Sequence, residues 1–205
     1  VSVPILPLPR KEALTQALTA LKAGQLVIIP TDTVYGIACW PQREAIMRLY
    51  QARQREPEPA LPLLLARPEL VNQLAYPAPT ARRLMQQFWP GPLTLILPAR
   101  SDLKRLGFGE RVGLRQPAFP SLWPLLEACG GYLVVSSAKR PGEPPALTAA
   151  EAAHNFGAEV ALVLDGGVGP YGLPSTIVDC TQDPPVILRR GSVAEADLLK
   201  VIGNG

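Results

Sequence analysis

Apolar positions along the chain fall into short runs whose period switches repeatedly. Leu14, Leu18 and Leu21 recur at helical spacing between Lys11 and Ala23, and Gly24 ends that helix. Leu26 to Ile29 is a continuous apolar run closed by Pro30, the pattern of a short buried strand. Ala45 to Ala52 returns to helical spacing, with Ile46, Leu49 and Tyr50 on one face. A proline-rich loop from Glu56 to Ala60 feeds a strand at Leu61 to Leu65. Thr80 can cap a helix running to Phe88, and Trp89-Pro90-Gly91-Pro92 breaks it ahead of a strand at Leu93 to Leu97. Val112 to Arg115 reads as a strand, Pro120 to Cys129 as a helix and Tyr132 to Val135 as a strand. Thr148 with Glu151 makes a capping box for a helix to Phe156. Strands follow at Val160 to Leu164, Thr176 to Val178 and Val186 to Leu188, and Ser192 with Glu195 makes a second capping box for the last helix.

Helices and strands alternate throughout, which predicts a mixed α/β fold. No linker interrupts the pattern, so residues 1–205 are expected to form a single domain. The longest apolar stretches, Leu61 to Ala66 and Leu93 to Leu97, are too short to span a bilayer. Arg10 and Lys11 follow the first apolar residues instead of preceding them, which is not a signal-peptide pattern. Cys39, Cys129 and Cys180 stand singly, so neither a disulfide framework nor a zinc site is suggested. These features predict a cytoplasmic protein with no membrane partner. Net charge is +3, too little to mark a nucleic-acid binder by itself. The balance among basic residues says more: five lysines stand against fifteen arginines, and arginine's planar fork matches carboxylate and phosphate.

Polar chemistry gathers where strands end. Pro30-Thr31-Asp32-Thr33-Val34-Tyr35-Gly36 places hydroxyls, a carboxylate, an aromatic ring and a glycine directly after a buried strand. Loops in that position carry ligands in open α/β sheets, although Thr and Asp also satisfy their own backbone in plain turns. Val135 to Gly142 repeats the arrangement, with small hydroxyls followed by Lys139 and Arg140, which would bind an anion. Pro174 to Asp179 follows a glycine-rich run, Gly166 to Gly172, that matches neither a P-loop nor a dinucleotide fingerprint. Leu188-Arg189-Arg190-Gly191 ends another strand, and Arg111 and Arg115 share one face of theirs. His154, the single histidine, falls inside a predicted helix and reads as a surface residue; Asp165 and Asp179 read as loop-capping residues. No nucleophile has a base partner, and no cluster has metal-ligand spacing. Hydroxyls and arginines at strand ends suit an enzyme that positions anions over one that uses covalent catalysis.

Taken together, six segments resemble one family. Thr31 to Gly36 resembles a PT(D/E)TVYG opening, Phe88 to Thr94 a WPGPLT motif, and Leu114 to Pro117 a VRxP motif. Ser137 to Gly142 resembles SANxSG, Ser175 to Asp179 STvvD, and Leu188 to Gly191 LRxG. Their order and spacing hold from about residue 10 to residue 200, and the chain is identified as a member of the YrdC/TsaC-type family, of which YciO-type proteins are paralogues. The resemblance implies a twisted, mostly open mixed sheet flanked by helices around a basic cleft. It also implies that the chain stops before the extra C-terminal domain of longer members. The implied activity makes threonylcarbamoyl-adenylate and pyrophosphate from threonine, bicarbonate and ATP, with Mg²⁺ accompanying ATP, for the t6A modification of tRNA.

By the same resemblance, Thr31, Arg115, Ser137 and Ser175 contact threonine, and Arg53, Arg55, Lys139, Thr148 and Arg189 face the nucleotide. Arg53 and Arg55 are the catalytic pair, Trp89 is structural, and no residue holds a metal. Implied partners are the transferase proteins of the t6A pathway and double-stranded RNA or tRNA. Two stretches depart from the family pattern. Helix register sets Arg53 on the lysine of a KxRPxxxPL motif and Arg55 on its arginine, with two residues extra before Pro62-Leu63, whereas setting Arg55 on the lysine restores the spacing and loses the arginine. The lysine is replaced either way, and Lys139 and Pro141 replace an asparagine and a serine. YciO-type paralogues also lose these two motifs, so the alternative is a paralogue that binds nucleotide or RNA without making the adenylate.

Overall fold

The computed structural model describes residues 2–54, 60, 62–104 and 109–203. The apolar runs form strands β1 (Ile5–Pro7), β2 (Val27–Ile29), β3 (Gly36–Cys39), β4 (Pro62–Leu65), β5 (Leu93–Pro98), β6 (Arg111–Arg115), β7 (Tyr132–Ser137), β8 (Leu162–Asp165), β9 (Thr176–Asp179) and β10 (Val186–Arg189). Among the described residues these ten make one sheet in the order β1-β8-β2-β3-β7-β4-β6-β5-β9-β10. Parallel pairs (β1/β8, β8/β2, β4/β6, β5/β9) mix with antiparallel ones, and the two edges stay open. The expected mixed open sheet is therefore present.

Helices α1 (Lys11–Lys22), α2 (Arg43–Ala52), α3 (Val71–Leu74), α4 (Pro79–Phe88), α5 (Ser101–Lys104), α6 (Trp123–Ala128), α7 (Ala149–Phe156) and α8 (Glu195–Ile202) flank the sheet. Strand residues alternate between the two faces, as period-two geometry requires. Ile28, Ile37, Leu63, Leu95, Val134 and Val163 point to one core, which α2, α4 and α7 close with Leu49, Leu84 and Phe156. Val27, Ile29, Ala38, Leu133 and Leu162 point to a second core on the opposite face. There α1 packs through Ala13, Ala17 and Ala20, and α6 through Leu125 and Leu126. In α1, Ala13, Ala17, Ala20 and Leu21 are buried against the sheet while Leu14 and Leu18 are only partly so, because the small alanines let the helix approach the strands closely.

Three expectations are corrected. The segment read only as a loop after β2 turns into a strand, β3, at Gly36. Thr80 does not cap α4: Ala78 is the N-cap, Pro79 opens the helix, and the Thr80 hydroxyl accepts from Arg83 Nη2 at 2.9 Å. Ser192 does not cap α8 either, since its hydroxyl sits 3.1 Å from the Leu173 carbonyl and 3.3 Å from that of Pro174. Ala194 is the N-cap there. Thr148 does cap α7, its Oγ1 accepting from Glu151 N–H at 3.1 Å, while the Glu151 carboxylate reaches back one residue further than a capping box and accepts from Leu147 N–H at 2.8 Å. Among the described residues no helix is long and apolar enough to cross a membrane.

Candidate active site

On the face that α1 and α6 cover at one end of the sheet, the in-phase residues of the remaining strands line an open cavity of about 400 Å³. Pro62 and Leu64 of β4, Gly113 and Arg115 of β6, Thr94 and Ile96 of β5, and Ile177 of β9 form its floor. Registers Leu64↔Arg115, Ile96↔Gly113 and Thr94↔Ile177 set these side chains in rows across the sheet. Loop residues Thr31, Thr33, Tyr35, Lys139 and Ser175 form the walls with Ser136 and Ser137 at the end of β7, Arg53 at the C-cap of α2 and Arg189 at the end of β10. Arg53, Arg115, Lys139 and Arg189 thus meet around one space, and no aspartate or glutamate is among the described lining residues.

Arg115 is buried and held on three sides. Its Nε donates to the Gly91 carbonyl at 3.0 Å, its Nη1 to Thr33 Oγ1 at 2.9 Å, and its Nη2 pairs with Asp32 Oδ1. Gly91 is needed at its turn, because a Cβ there would lie 2.3 Å from the Phe88 carbonyl. Burial pushes the Arg115 guanidinium below its ordinary pKa, and the Asp32 carboxylate opposes that shift. The ordinary arginine pKa lies so far above neutrality that the guanidinium stays charged at neutral pH. Asp32 is itself fully buried, and its Oδ2 meets no hydrogen-bond partner among the described residues.

Counting protons in the Thr31 loop assigns its donors. Thr31 Oγ1 donates to the Val34 carbonyl at 2.7 Å and accepts from Thr33 N–H at 3.1 Å. The two threonine hydroxyls lie 3.0 Å apart, and with Thr31's proton on Val34 the donor between them is Thr33. The Thr31 hydroxyl is therefore saturated by its own loop. A second braced loop follows from Tyr35, whose hydroxyl lies 2.8 Å from the Gly167 carbonyl and 3.2 Å from Asp165 Oδ1. Burial pushes its pKa up to about 12. The glycine-rich run is thus tied behind the Thr31 loop, with Tyr171 N–H donating to the Asp32 carbonyl at 3.2 Å, and its glycines are not part of the cavity lining.

Arg189 is clamped to the opposite wall. Its Nε and Nη2 donate to the Ser175 carbonyl at 3.0 and 2.8 Å, and Nη2 also reaches Ser175 Oγ at 3.1 Å. Gly191 permits this approach, because a Cβ there would sit 2.4 Å from the Pro174 carbonyl. Ser175 Oγ lies 2.8 Å from Thr94 Oγ1.

Of the residues singled out from the sequence, Thr31, Arg53, Arg115, Ser137, Lys139, Ser175 and Arg189 come together on this cavity. Arg55 lies outside the described residues. Thr148 is not brought to the lining, and its side-chain oxygen is taken by the α7 cap. Arg140, expected beside Lys139 as an anion holder, is turned away: it donates to the Ala52 and Asn155 carbonyls, both at 3.0 Å, pairs with Glu159 at 2.8 Å and stacks on Phe156. Arg111 shares the face of Arg115 but lies outside the lining and pairs with Asp179 at 3.3 Å. Asp165 and Asp179 do cap their loops, through Gly167 N–H and Thr181 N–H, each at 2.9 Å. His154 is exposed on α7. Burial pushes the Cys39 and Cys180 thiols up to about 12 and that of Cys129 to about 11, so none is a thiolate nucleophile at neutral pH. Asp32, Gly113 and Thr94 were not singled out as site residues. For Thr94 a signal was present, a polar residue in alternating phase within the apolar strand Leu93 to Leu97.

An open mixed α/β sheet whose bare strand ends carry arginines and hydroxyls defines an α/β protein with a basic cavity at its strand ends. The chain belongs to the Sua5/YciO/YrdC family, whose model, described as telomere recombination, matches residues 19–191. It is 34% identical over 195 residues to the threonylcarbamoyl-AMP synthase of Bacillus subtilis, covering 93% of this chain and 56% of that protein. The enzyme of the same name from Chromohalobacter salexigens is 38% identical over 172 residues, 82% of this chain and 92% of that one. Pyrococcus abyssi Sua5 complexed with L-threonine superposes with a TM-score of 0.90 at 32% identity, over 99% of this chain and 61% of that one. Escherichia coli YciO superposes with a TM-score of 0.85 at 25% identity, over 96% of this chain and 98% of its own. The chain thus spans little more than half the length of the Bacillus relative and of Pyrococcus Sua5.

Proposed function

We propose that this chain is a threonylcarbamoyl-AMP synthase that supplies the t6A modification of tRNA. The observation that carries this reading is the meeting of Arg53, Arg115, Lys139 and Arg189 on one cavity with no carboxylate in its described lining. In the proposed reaction the threonine nitrogen bonds the bicarbonate carbon and water leaves, giving an N-carboxylate. A carboxylate oxygen then attacks the α-phosphorus of ATP, the bond to the bridging oxygen breaks, and pyrophosphate departs. Each step brings anions together, and fixed cations in a partly dry site stabilise the charge that gathers there. Synthase names among the relatives and the threonine complex of Pyrococcus Sua5 support the same choice of substrates.

Arg115 is the residue for the threonine carboxylate, since it keeps N–H groups beyond the three bonds to Gly91, Thr33 and Asp32. Ser137 and Ser175 flank it as threonine contacts, and Thr31 shapes that wall as part of its braced loop. Arg53, Lys139 and Arg189, with Arg55, hold the nucleotide phosphates. The described lining offers a divalent cation no carboxylate, so Mg²⁺ is assigned to the phosphates of ATP as part of the substrate. One sheet runs from β1 to β10, which supports reading residues 1–205 as one domain. Three buried free cysteines fit a reducing cytoplasm, where the product would pass to the t6A transferase proteins and tRNA.

The test is pyrophosphate release by the purified protein with ATP, Mg²⁺, threonine and bicarbonate. Release that depends on threonine is expected. ATP binding without threonine-dependent release would overturn the synthase reading in favour of a YciO-like binder of nucleotide or RNA.

A further inference from the structure

The hydroxyls around the cavity are not equivalent once their protons are counted. Thr31 and Thr33 spend theirs inside the loop. Across the cavity, Thr94 and Ser175 form a pair with a surplus. Arg189 can only donate, so its Nη2 contact at 3.1 Å makes Ser175 Oγ an acceptor. The two hydroxyls then share one hydrogen bond at 2.8 Å. Whichever of them donates within the pair, one O–H proton is left over. Among the described residues neither oxygen meets another acceptor, and both side chains are buried, with Thr94 5% and Ser175 6% exposed. A buried donor without a partner costs free energy, and both residues line the cavity.

The direction of the chain follows from its charged end. A hydroxyl that accepts from a guanidinium becomes a stronger donor, so bonds running one way from Arg189 through Ser175 to Thr94 reinforce one another. Thr94 then holds the surplus proton. Its place matches that task. Leu95 pairs with Leu114 in the antiparallel β5/β6 ladder, so Thr94 lies across from Arg115. Cross-strand neighbours on one face have Cβ atoms about 5 Å apart, within reach of one small anionic group.

We propose that Thr94 is a substrate-binding residue that donates its hydroxyl to the amino-acid carboxylate held by Arg115, and that Ser175, beside its contact with threonine and set by Arg189, orients that hydroxyl. This rests on the reading of the cavity as a threonine site, so the experiment separates the two. Titrating the wild-type protein with L-threonine calorimetrically tests the site itself. Absence of binding sinks the threonine reading, whereas binding by wild type with an unchanged Kd in Thr94→Val sinks only the role of Thr94.

The expected result is a rise of roughly tenfold in the Kd and KM for threonine in Thr94→Val, with the KM for ATP little changed, the size of one hydrogen bond to a charged acceptor. Thr94→Ser should restore most of the loss because the hydroxyl returns. Ser175→Ala should lose less than Thr94→Val, and the double variant no more than Thr94→Val alone, because one proton serves the pair. Equal rises in both KM values, or a melting temperature lowered by Thr94→Val with threonine affinity intact, would make Thr94 a packing residue and overturn the proposal. A larger loss in Ser175→Ala than in Thr94→Val would overturn the assigned direction.

Discussion

One face of the sheet carries two regions built on the same alternation, and they end differently. Over β8, β2, β3 and β7 the outward positions are Val27, Ile29, Ala38, Leu133 and Leu162, and α1 and α6 cover them. Over β6, β5 and β9 the positions in phase are Gly113, Arg115, Thr94, Ile96 and Ile177, and they line the cavity. The first region contributes stability through apolar burial, about 1.5–3 kcal/mol for each large side chain fully taken from water. The second forgoes part of that gain, because guanidinium and hydroxyl groups facing an open cavity cannot be sealed under a helix without losing their solvent. What holds its polar side chains in place is hydrogen bonding from behind: Asp32, Thr33 and Gly91 on Arg115, and the Ser175 carbonyl on Arg189. Packing organises one half and polar bracing the other.

The largest test of that contrast is Arg115→Met. Methionine fills comparable space but leaves Asp32 buried without its cation. Breaking a buried pair in this way costs about 3–5 kcal/mol. Urea unfolding should show a loss of that size, and threonine binding should be abolished. Adding Asp32→Asn to Arg115→Met should recover part of the stability and none of the binding. Stability unchanged in Arg115→Met would show that this half is not held from behind by the Asp32–Arg115 pair.

Next in size is a matched pair of insertions, one in each region. At Gly113 an added Cβ would meet Pro62 Cα at 3.4 Å and a Thr94 methyl at 3.5 Å, which are ordinary contacts. Gly113→Leu should therefore fold and fill the cavity, weakening ATP and threonine binding by at least about tenfold, the scale of an overpacked site. Ala38→Leu forces three added carbons beneath α1 and α6, against four in Gly113→Leu, and should cost about 1–3 kcal/mol of unfolding stability. Remaining folded Ala38→Leu protein should bind both ligands normally. Melting curves and calorimetry on the two variants separate the effects. If both lose stability equally and neither loses binding, the cavity is not the ligand site.

The two regions also differ in how far the sequence exposes them. The helix-covered half was legible because its cues are local: apolar runs at β2, β7 and β8 and helical spacing in α1. The Thr148–Glu151 cap was legible for the same reason, since donor and acceptor lie three residues apart. Ser192–Glu195 has the same spacing and fails, because the Leu173 and Pro174 carbonyls, folded nearby, take the Ser192 hydroxyl. In the bare half the motif order named seven of the residues that line the cavity. The pattern could not show that Asp32 stands behind Arg115, 83 positions away, or that Thr94 meets Ser175, 81 positions away. Those contacts depend on strand order, which periodicity does not encode. Arg140 shows the same limit: adjacent to Lys139 in sequence, it is committed to Ala52, Asn155 and Glu159.

The smallest expected effect belongs to Lys139, where the family carries asparagine. Its loop is tied to the Thr31 segment by Ala138 N–H on the Tyr35 carbonyl at 2.8 Å and closed on itself by Lys139 N–H on the Ser137 carbonyl at 2.9 Å, so the side chain starts from a fixed point on the cavity wall. Lys139→Asn exchanges an ammonium for an amide of shorter reach. A charge-assisted bond to phosphate is about twice as strong as a neutral one, so the exchange should weaken ATP binding. Lys139 is only partly buried, and water screens part of its charge, which limits the expected loss to roughly threefold to tenfold. Calorimetry with ATP and Mg²⁺ at low and high salt checks both size and cause. The gap between wild type and variant should narrow as salt rises, because added ions weaken the ammonium–phosphate attraction and leave an amide hydrogen bond largely untouched. ATP affinity unchanged or raised in Lys139→Asn would remove Lys139 from the phosphate site, leaving Arg53 and Arg189 as the cations of the described lining that face ATP.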